Sequence, residues 1–180
     1  GVALIRFFGH FYSGKIKFLV NDLLMHIKPL APVFLPINKY GSQAKESSLQ
    51  INNAYESDEQ MLIFPAGLCS RLQHGKIKDL EWKKTFIAKA VQSQRDIIPI
   101  YFEGRNSTFF YRFAQIRKCI GLKFNIELIY LPDEMFNSKN KTFDIYIGKP
   151  IPWQTFDKSK SLQEWAQIVK EKVYQIKKNQ

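Results

Sequence analysis

The run Met61-Leu62-Ile63-Phe64 is apolar, stops at Pro65, turns through Ala66 and Gly67, and leaves with Ser70 and Arg71. An apolar run this short, bounded by turn residues, reads as a buried strand. Breaking it frees backbone N–H groups at the strand's end. Pro65 and Gly67 permit the turn, and Arg71 sets a positive charge beside it. Such a place can seat an anion, or it can be an ordinary turn. The pattern recurs: residues 33–37 exit through Asn38-Lys39-Tyr40-Gly41, and residues 97–102, interrupted by Pro99, exit through Gly104-Arg105-Asn106. Strands separated by helical patterns point to a single α/β domain with a mixed, mostly parallel sheet flanked by helices. Ligands of such sheets bind beyond the carboxyl ends of strands, so these exits are candidates for one site.

Residues 2–12 carry apolar side chains on every side and read as a largely buried helix, with Arg6 and His10 on one flank. A strand at 15–20 follows, then Asp22 caps a helix over 23–27 that Pro29 stops. Residues 42–57 form a polar helix with Leu49, Ile51, Ala54 and Tyr55 inward. After a loop at 66–78, Asp79 caps a helix that buries Trp82, Phe86, Ile87, Ala90 and Val91 and shows Lys83, Lys84 and Lys89. Ser107 opens a helix with Phe109, Phe110, Phe113, Ile116 and Ile120 on one side and Arg112, Arg117 and Lys118 outward. Residues 125–131 and 142–147 read as strands, the second with Phe143, Ile145 and Ile147 inward. The last helix opens with a capping box, Ser161 to Glu164, and carries Leu162, Trp165, Ala166, Val169, Val173 and Ile176 as one stripe.

Of the 180 residues, 27 are Lys or Arg and 16 are Asp or Glu, a net charge of +11. That field favours polyanions: nucleic acid, an anionic lipid surface or a phosphorylated substrate. The basic residues are spread over several elements, which argues against a basic arm. Cys69 and Cys119 have no metal or redox spacing and read as free thiols in a reducing compartment. Cys69 near His74 makes a poor nucleophile pair, because nothing orients the histidine. Asn106-Ser107-Thr108 and Asn140-Lys141-Thr142 match the glycosylation pattern, which is common by chance. No apolar run approaches a membrane span, and no signal-peptide pattern is present. The chain starts at Gly1 inside an apolar helical pattern, as a fragment would.

A P-loop, a GxSxG elbow, an HExxH helix and a dinucleotide glycine fingerprint are all missing. Phe64-Pro65-Ala66-Gly67 followed by Ser70-Arg71 instead resembles a variant of the FPEGT-R-S block of glycerolipid acyltransferases, typified by 1-acylglycerol-3-phosphate acyltransferase. The segment Val33 to Lys39 sits where that family has a strand ending in a basic, phosphate-facing residue. Ile98-Pro99-Ile100 matches its hydrophobic proline block. The blocks NDLL, FPAGLCSR, DLEWKKTFI, NSTFFYR and LPDEM are similar to those of a bacterial subgroup known as hemolysins or acyltransferases. Members of that subgroup are associated with O-acylation of lyso-forms of amino-acid-containing lipids.

The resemblance implies an O-acyltransferase of membrane-lipid synthesis. It would move a fatty acyl group from acyl-CoA or acyl carrier protein, its only co-substrate, to a lysolipid hydroxyl, with no bound cofactor or metal. The implied acceptor is lysophosphatidic acid or a lyso-amino-acid lipid. The implied location is the cytoplasmic membrane face, peripherally docked; Lys83, Lys84 and Arg112 are candidates for the lipid surface, and solvated helix faces explain them equally well. Lys39, Phe64, Pro65, Gly67, Ser70, Arg71 and Pro99 are the implied substrate-binding residues. The family's Glu, Thr and Arg positions fall on Ala66, Leu68 and Cys69, while Gly67 and Ser70 match directly. Arg71, displaced by two, substitutes if the phosphate contact is kept. An altered anion site implies an altered headgroup.

The family's His-x-x-x-x-Asp pair supplies a general base and its orienting carboxylate. Its place is expected upstream of Gly1, so that residues 1–180 would be an acyltransferase domain lacking it and inactive alone. His74 and Asp79 have the same spacing but follow the FPAG block, and Asp79 is better explained as a cap. His10 has no carboxylate at useful spacing, and His26 sits near a helix end, where an imidazole is favourable without function. The alternative is a non-enzymatic phosphoanion- or nucleic-acid-binding module, supported by the charge and by Phe109, Phe110, Tyr111 and Arg112. Against it, those aromatics follow a core-facing stripe and no RNA-binding signature is present.

Overall fold

The structure is a computed structural model that describes residues 2–20, 28–37, 42–122 and 124–179. The cap expected at Asp22, its helix and the exit carrying Lys39 lie outside the described residues. At the centre, strand β1 (Ile16–Val20) pairs in parallel with β2 (Phe34–Pro36) on one side and β3 (Gln60–Leu62) on the other. Every second residue of β1 is buried: Ile16, Phe18 and Val20. Helix α1 (Val2–Phe11) lays Leu4 and Phe8 on this face, and Phe18 meets Phe34 edge-on at 6.4 Å. Helix α2 (Ser42–Glu56) runs between β2 and β3 and packs against both. All three strands therefore end at one edge of the sheet.

A second core lies between α3 (Thr85–Gln92) and α6 (Leu162–Ile176), where Trp82, Phe86, Ile87, Ala166, Val169 and Val173 are buried together. The capping box at Ser161 and Glu164 forms in full, and the apolar stripe of α6 faces this core as expected. Strands β6 (Ile100–Glu103) and β7 (Asp144–Ile147) pair antiparallel and join the two cores. Ile100 and Phe102 touch the first core and Tyr101 the second, as the alternation of a strand dictates. Pro99 is buried between this ladder and the Ile97–Ile151 bridge, and its carbonyl accepts the Gly148 N–H at 2.8 Å. It thus sits where pairing is interrupted.

Several expectations are corrected. The presumed loop at 66–78 contains a hairpin, β4 (Arg71–Gln73) with β5 (Lys76–Lys78). His74 and Gly75 turn it, both with positive φ (48° and 74°), a pair suited to a two-residue hairpin turn. The helix assigned to Asp79 begins only at Thr85. Residues 125–131 are not a strand. Ile126–Tyr130 is a 3-10 turn leading into α5 (Leu131–Phe136), because Glu127 must point inward to charged partners. Helix α1 is not covered all round, since Phe7 and Phe11 are exposed; Leu49 and Ile147 are exposed as well. Helix α4 (Thr108–Cys119) buries Phe110, Tyr111 and Ala114 and leaves Phe109, Ile116 and Ile120 outside.

Candidate functional site

Strand β3 ends at Leu62, and the chain turns over Phe64–Gly67, closed by the Gly67 N–H on the Phe64 carbonyl at 2.9 Å. Ala66 points into the second core, while Phe64 and Gly67 face out. Gly67 has φ +68°, where a side chain is strained. A Cβ there would stand 3.1 Å from Nζ of Lys83, and the Lys83 N–H donates to the Pro65 carbonyl at 3.1 Å. The cation over this turn is therefore Lys83, which the sequence reading set among surface lysines.

Ser70 and Arg71 hold the turn from behind. The Ser70 hydroxyl donates to Oδ1 of Asp79 at 2.5 Å, and Trp82 Nε1 donates to Oδ2 at 3.2 Å. The Asp79 N–H donates to the Tyr174 hydroxyl, and Lys170 Nζ donates to the carbonyls of Asp79 and Leu80. Arg71 donates from Nη1 to the Cys69 carbonyl at 3.0 Å and from Nη2 to Oε1 of Glu127 at 2.7 Å, with the Phe110 ring 5.9 Å beneath. Glu127 is fully buried, and Arg117 Nε lies 2.8 Å from its second oxygen, though off the line of a hydrogen bond. Arg117, expected to project, is thus an interior partner. Two guanidiniums around one carboxylate leave one positive charge in excess, held where low dielectric strengthens it. Burial pushes the Cys69 thiol up, with Arg71 opposing, so Cys69 stays protonated and unreactive at neutral pH.

His74 and Asp79 do not meet. His74 is exposed at the hairpin tip, beyond the Gln73–Lys76 pair, whereas Asp79 follows the Arg71–Lys78 pair at its base. Among the described residues no histidine is hydrogen-bonded to a carboxylate. Pro99 lines a shallow depression with Gly148, Ile151 and Ile176, in which no residue from 64 to 71 takes part. Lys39 lies outside the described residues, but β2 ends at the same sheet edge as β3. The third exit is tied down separately. Asn106 N–H donates to the Tyr111 hydroxyl, Ser107 N–H donates to Glu134, and α4 packs on β4. Phe110 and Tyr111 are buried, which removes them as a base-stacking platform.

Sequence reasoning missed Lys83, Glu127 and Arg117. For Glu127 a signal existed: one carboxylate inside the apolar run 124–131 must find partners if it is buried.

A family profile described as Acyltransferase matches residues 4–180. The chain is 56% identical over 176 residues to a lyso-glycine lipid O-acyltransferase of Bacteroides thetaiotaomicron, covering 98% of this chain and 65% of that protein. It is 54% identical over 176 residues to a protein of the same name from Phocaeicola vulgatus, covering 98% and 63%. The chain thus spans less than two thirds of the length of these curated relatives. No solved structure matches it significantly. With the profile and these relatives agreeing from the first helix to the last, the chain belongs to the acyltransferase family.

Proposed function

We propose that this chain is the substrate-holding part of an O-acyltransferase of membrane-lipid synthesis, passing a fatty acyl group from an acyl-CoA or acyl-carrier-protein thioester to the hydroxyl of a lyso-glycine lipid. The observation that carries this reading is the 56% identity, over nearly the whole chain, to a relative named for that acceptor. The strand-exit turn supports it as a seat for the anionic headgroup or the donor's phosphates. Gly67 and Lys83 touch the anion, and Lys39 is a further candidate contact. Ser70 and Arg71 shape the turn through Asp79 and Glu127 instead of binding directly. An imidazole takes the acceptor hydroxyl's proton as its oxygen attacks the thioester carbonyl, the C–S bond breaks, and the imidazolium returns that proton to the departing thiolate. Among the described residues no histidine is oriented by a carboxylate for this role. The enzyme acts at the cytoplasmic membrane face as a peripheral protein; among the described residues no helix is long and apolar enough to cross a membrane.

The test is transfer by the purified full-length protein, read by mass spectrometry, with lyso-glycine lipid and lysophosphatidic acid offered separately with either donor. The expected result is lyso-glycine lipid ahead by roughly tenfold in kcat/KM, as a site rejecting the wrong headgroup would give. Lys83→Ala should raise the acceptor KM more than it lowers kcat. Absence of product from lyso-glycine lipid with both donors overturns the reading.

A further inference from the structure

We propose that the outer face of α4, continued by the 3-10 turn and α5, is the surface by which this protein docks on an anionic bilayer. The inference rests on the lysolipid reading above and adds the surface that delivers the substrate. Phe109, Ile116 and Ile120 on α4, Phe124 after it, Ile129 in the 3-10 turn and Phe136 in α5 are between 55% and 82% exposed. Phe109 and Phe113 both pack their rings against Tyr130, at 5.2 and 5.6 Å, which joins the α4 stripe to the 3-10 turn. So many large apolar side chains from one 28-residue stretch (109–136) mark a surface that something covers.

Charge identifies the occupant. Arg112 and Lys118 on this segment, and Arg105, Lys139 and Lys141 flanking it, are exposed, and none of them is in an ion pair among the described residues. Of the segment's three carboxylates, Glu127 is buried and Glu134 accepts from Ser107, leaving Asp133. An apolar face bearing aromatics, interspersed with long-stemmed cations, matches the acyl boundary and phosphate layer of a bilayer. There the apolar groups are buried while the cations stay hydrated among anionic headgroups. A protein cover would have to place a carboxylate against each cation that it desolvates, whereas an anionic bilayer presents phosphates across its whole surface. The inward face of α4, about 100° around the helix, sets Phe110 beneath Arg71, so the helix that docks also supports the residue just past the strand-exit turn.

The test uses the full-length protein with single tryptophans added at Phe124→Trp or Ile129→Trp, and Leu49→Trp on α2 as a control. Each is read against the native tryptophan background by quenching from vesicles of acyl-brominated phosphatidylglycerol and phosphatidylcholine. Quenching at positions 124 and 129 should exceed that at 49 by at least about twofold. The double variant Ile120→Glu/Ile129→Glu should lose roughly fivefold in vesicle-bound fraction at an unchanged thermal midpoint. Equal quenching at 124 and 49 overturns the proposal. So does shielding of Trp at 124 from aqueous acrylamide without vesicles, which would show the face covered by the rest of the protein. Acyl transfer to detergent-dispersed lyso-glycine lipid is scored separately. Its loss with quenching intact defeats the enzymatic reading and leaves the surface standing.

Discussion

Helices α6 and α4 both carry an apolar stripe in the sequence, yet only α6 turns its stripe to the core. In α6, Ala166, Val169 and Val173 meet the second core, while Gln167 and Lys170 beside them reach backbone carbonyls from the flank without displacing it. In α4 the inward positions are 110, 114 and 117, spaced four and three apart, and the last is an arginine. The stripe 109, 113, 116 and 120 is one position around the helix and looks outward. A buried carboxylate needs its two guanidiniums more than the core needs two more isoleucines. An obligate polar partner can therefore rotate a helix against its own hydrophobic pattern.

The strongest way to break this comparison is to remove the carboxylate. Glu127→Ala should cost about 3–5 kcal/mol in urea unfolding, because two interior guanidiniums lose their counter-charge. Replacing Arg71, Arg117 and Glu127 together by apolar residues of similar volume should recover most of that loss. A cost below about 1 kcal/mol for Glu127→Ala would mean that the ion cluster does not set the orientation of α4.

Truncations on the two stripes come next. Val169→Ala removes two methyl groups from a site 2% exposed and should cost about 2 kcal/mol with its cavity. Ile120→Ala, at a site 67% exposed, should stay within about 0.5 kcal/mol. Comparable losses would erase the distinction.

An effect smaller than the core losses sharpens the comparison at the helix start. Ser161→Ala should cost about 1 kcal/mol through the lost cap. The Ser161 hydroxyl, then its N–H, holds the Glu164 carboxyl below its ordinary 4.5. A depressed carboxylate contributes stability above its unfolded value, and that contribution is lost as pH falls through the lower, folded one. Ser161→Ala should therefore flatten the fall in stability below pH 4.5, as read from thermal midpoints across a pH series.

The parts legible in the sequence were those carried by neighbours in the chain. β1 and the turn at Pro65–Gly67 came from apolar runs and their breakers, and α6 from its capping box and period. Ser70 and Arg71 could be picked out as polar groups at the break. Their partners could not: Glu127 is 56 positions from Arg71, and Lys83 reaches Gly67 only after the lead-in to α3 folds back. The β4–β5 hairpin escaped notice because each strand is three residues long and β5 is wholly exposed, which leaves little hydrophobic alternation to read. Asp79 has the composition of a cap, but its carboxylate serves Ser70 and Trp82, and the helix waits for Thr85.

That aspartate links helix α6 to the strand-exit turn. Tyr174 and Lys170 grip its backbone from the final helix, while its side chain clasps the residue just behind the strand-exit turn. Helix α6 thus serves as a brace for the strand-exit turn more than a hundred residues earlier, so trimming the last two turns of α6 would slacken that turn without touching it.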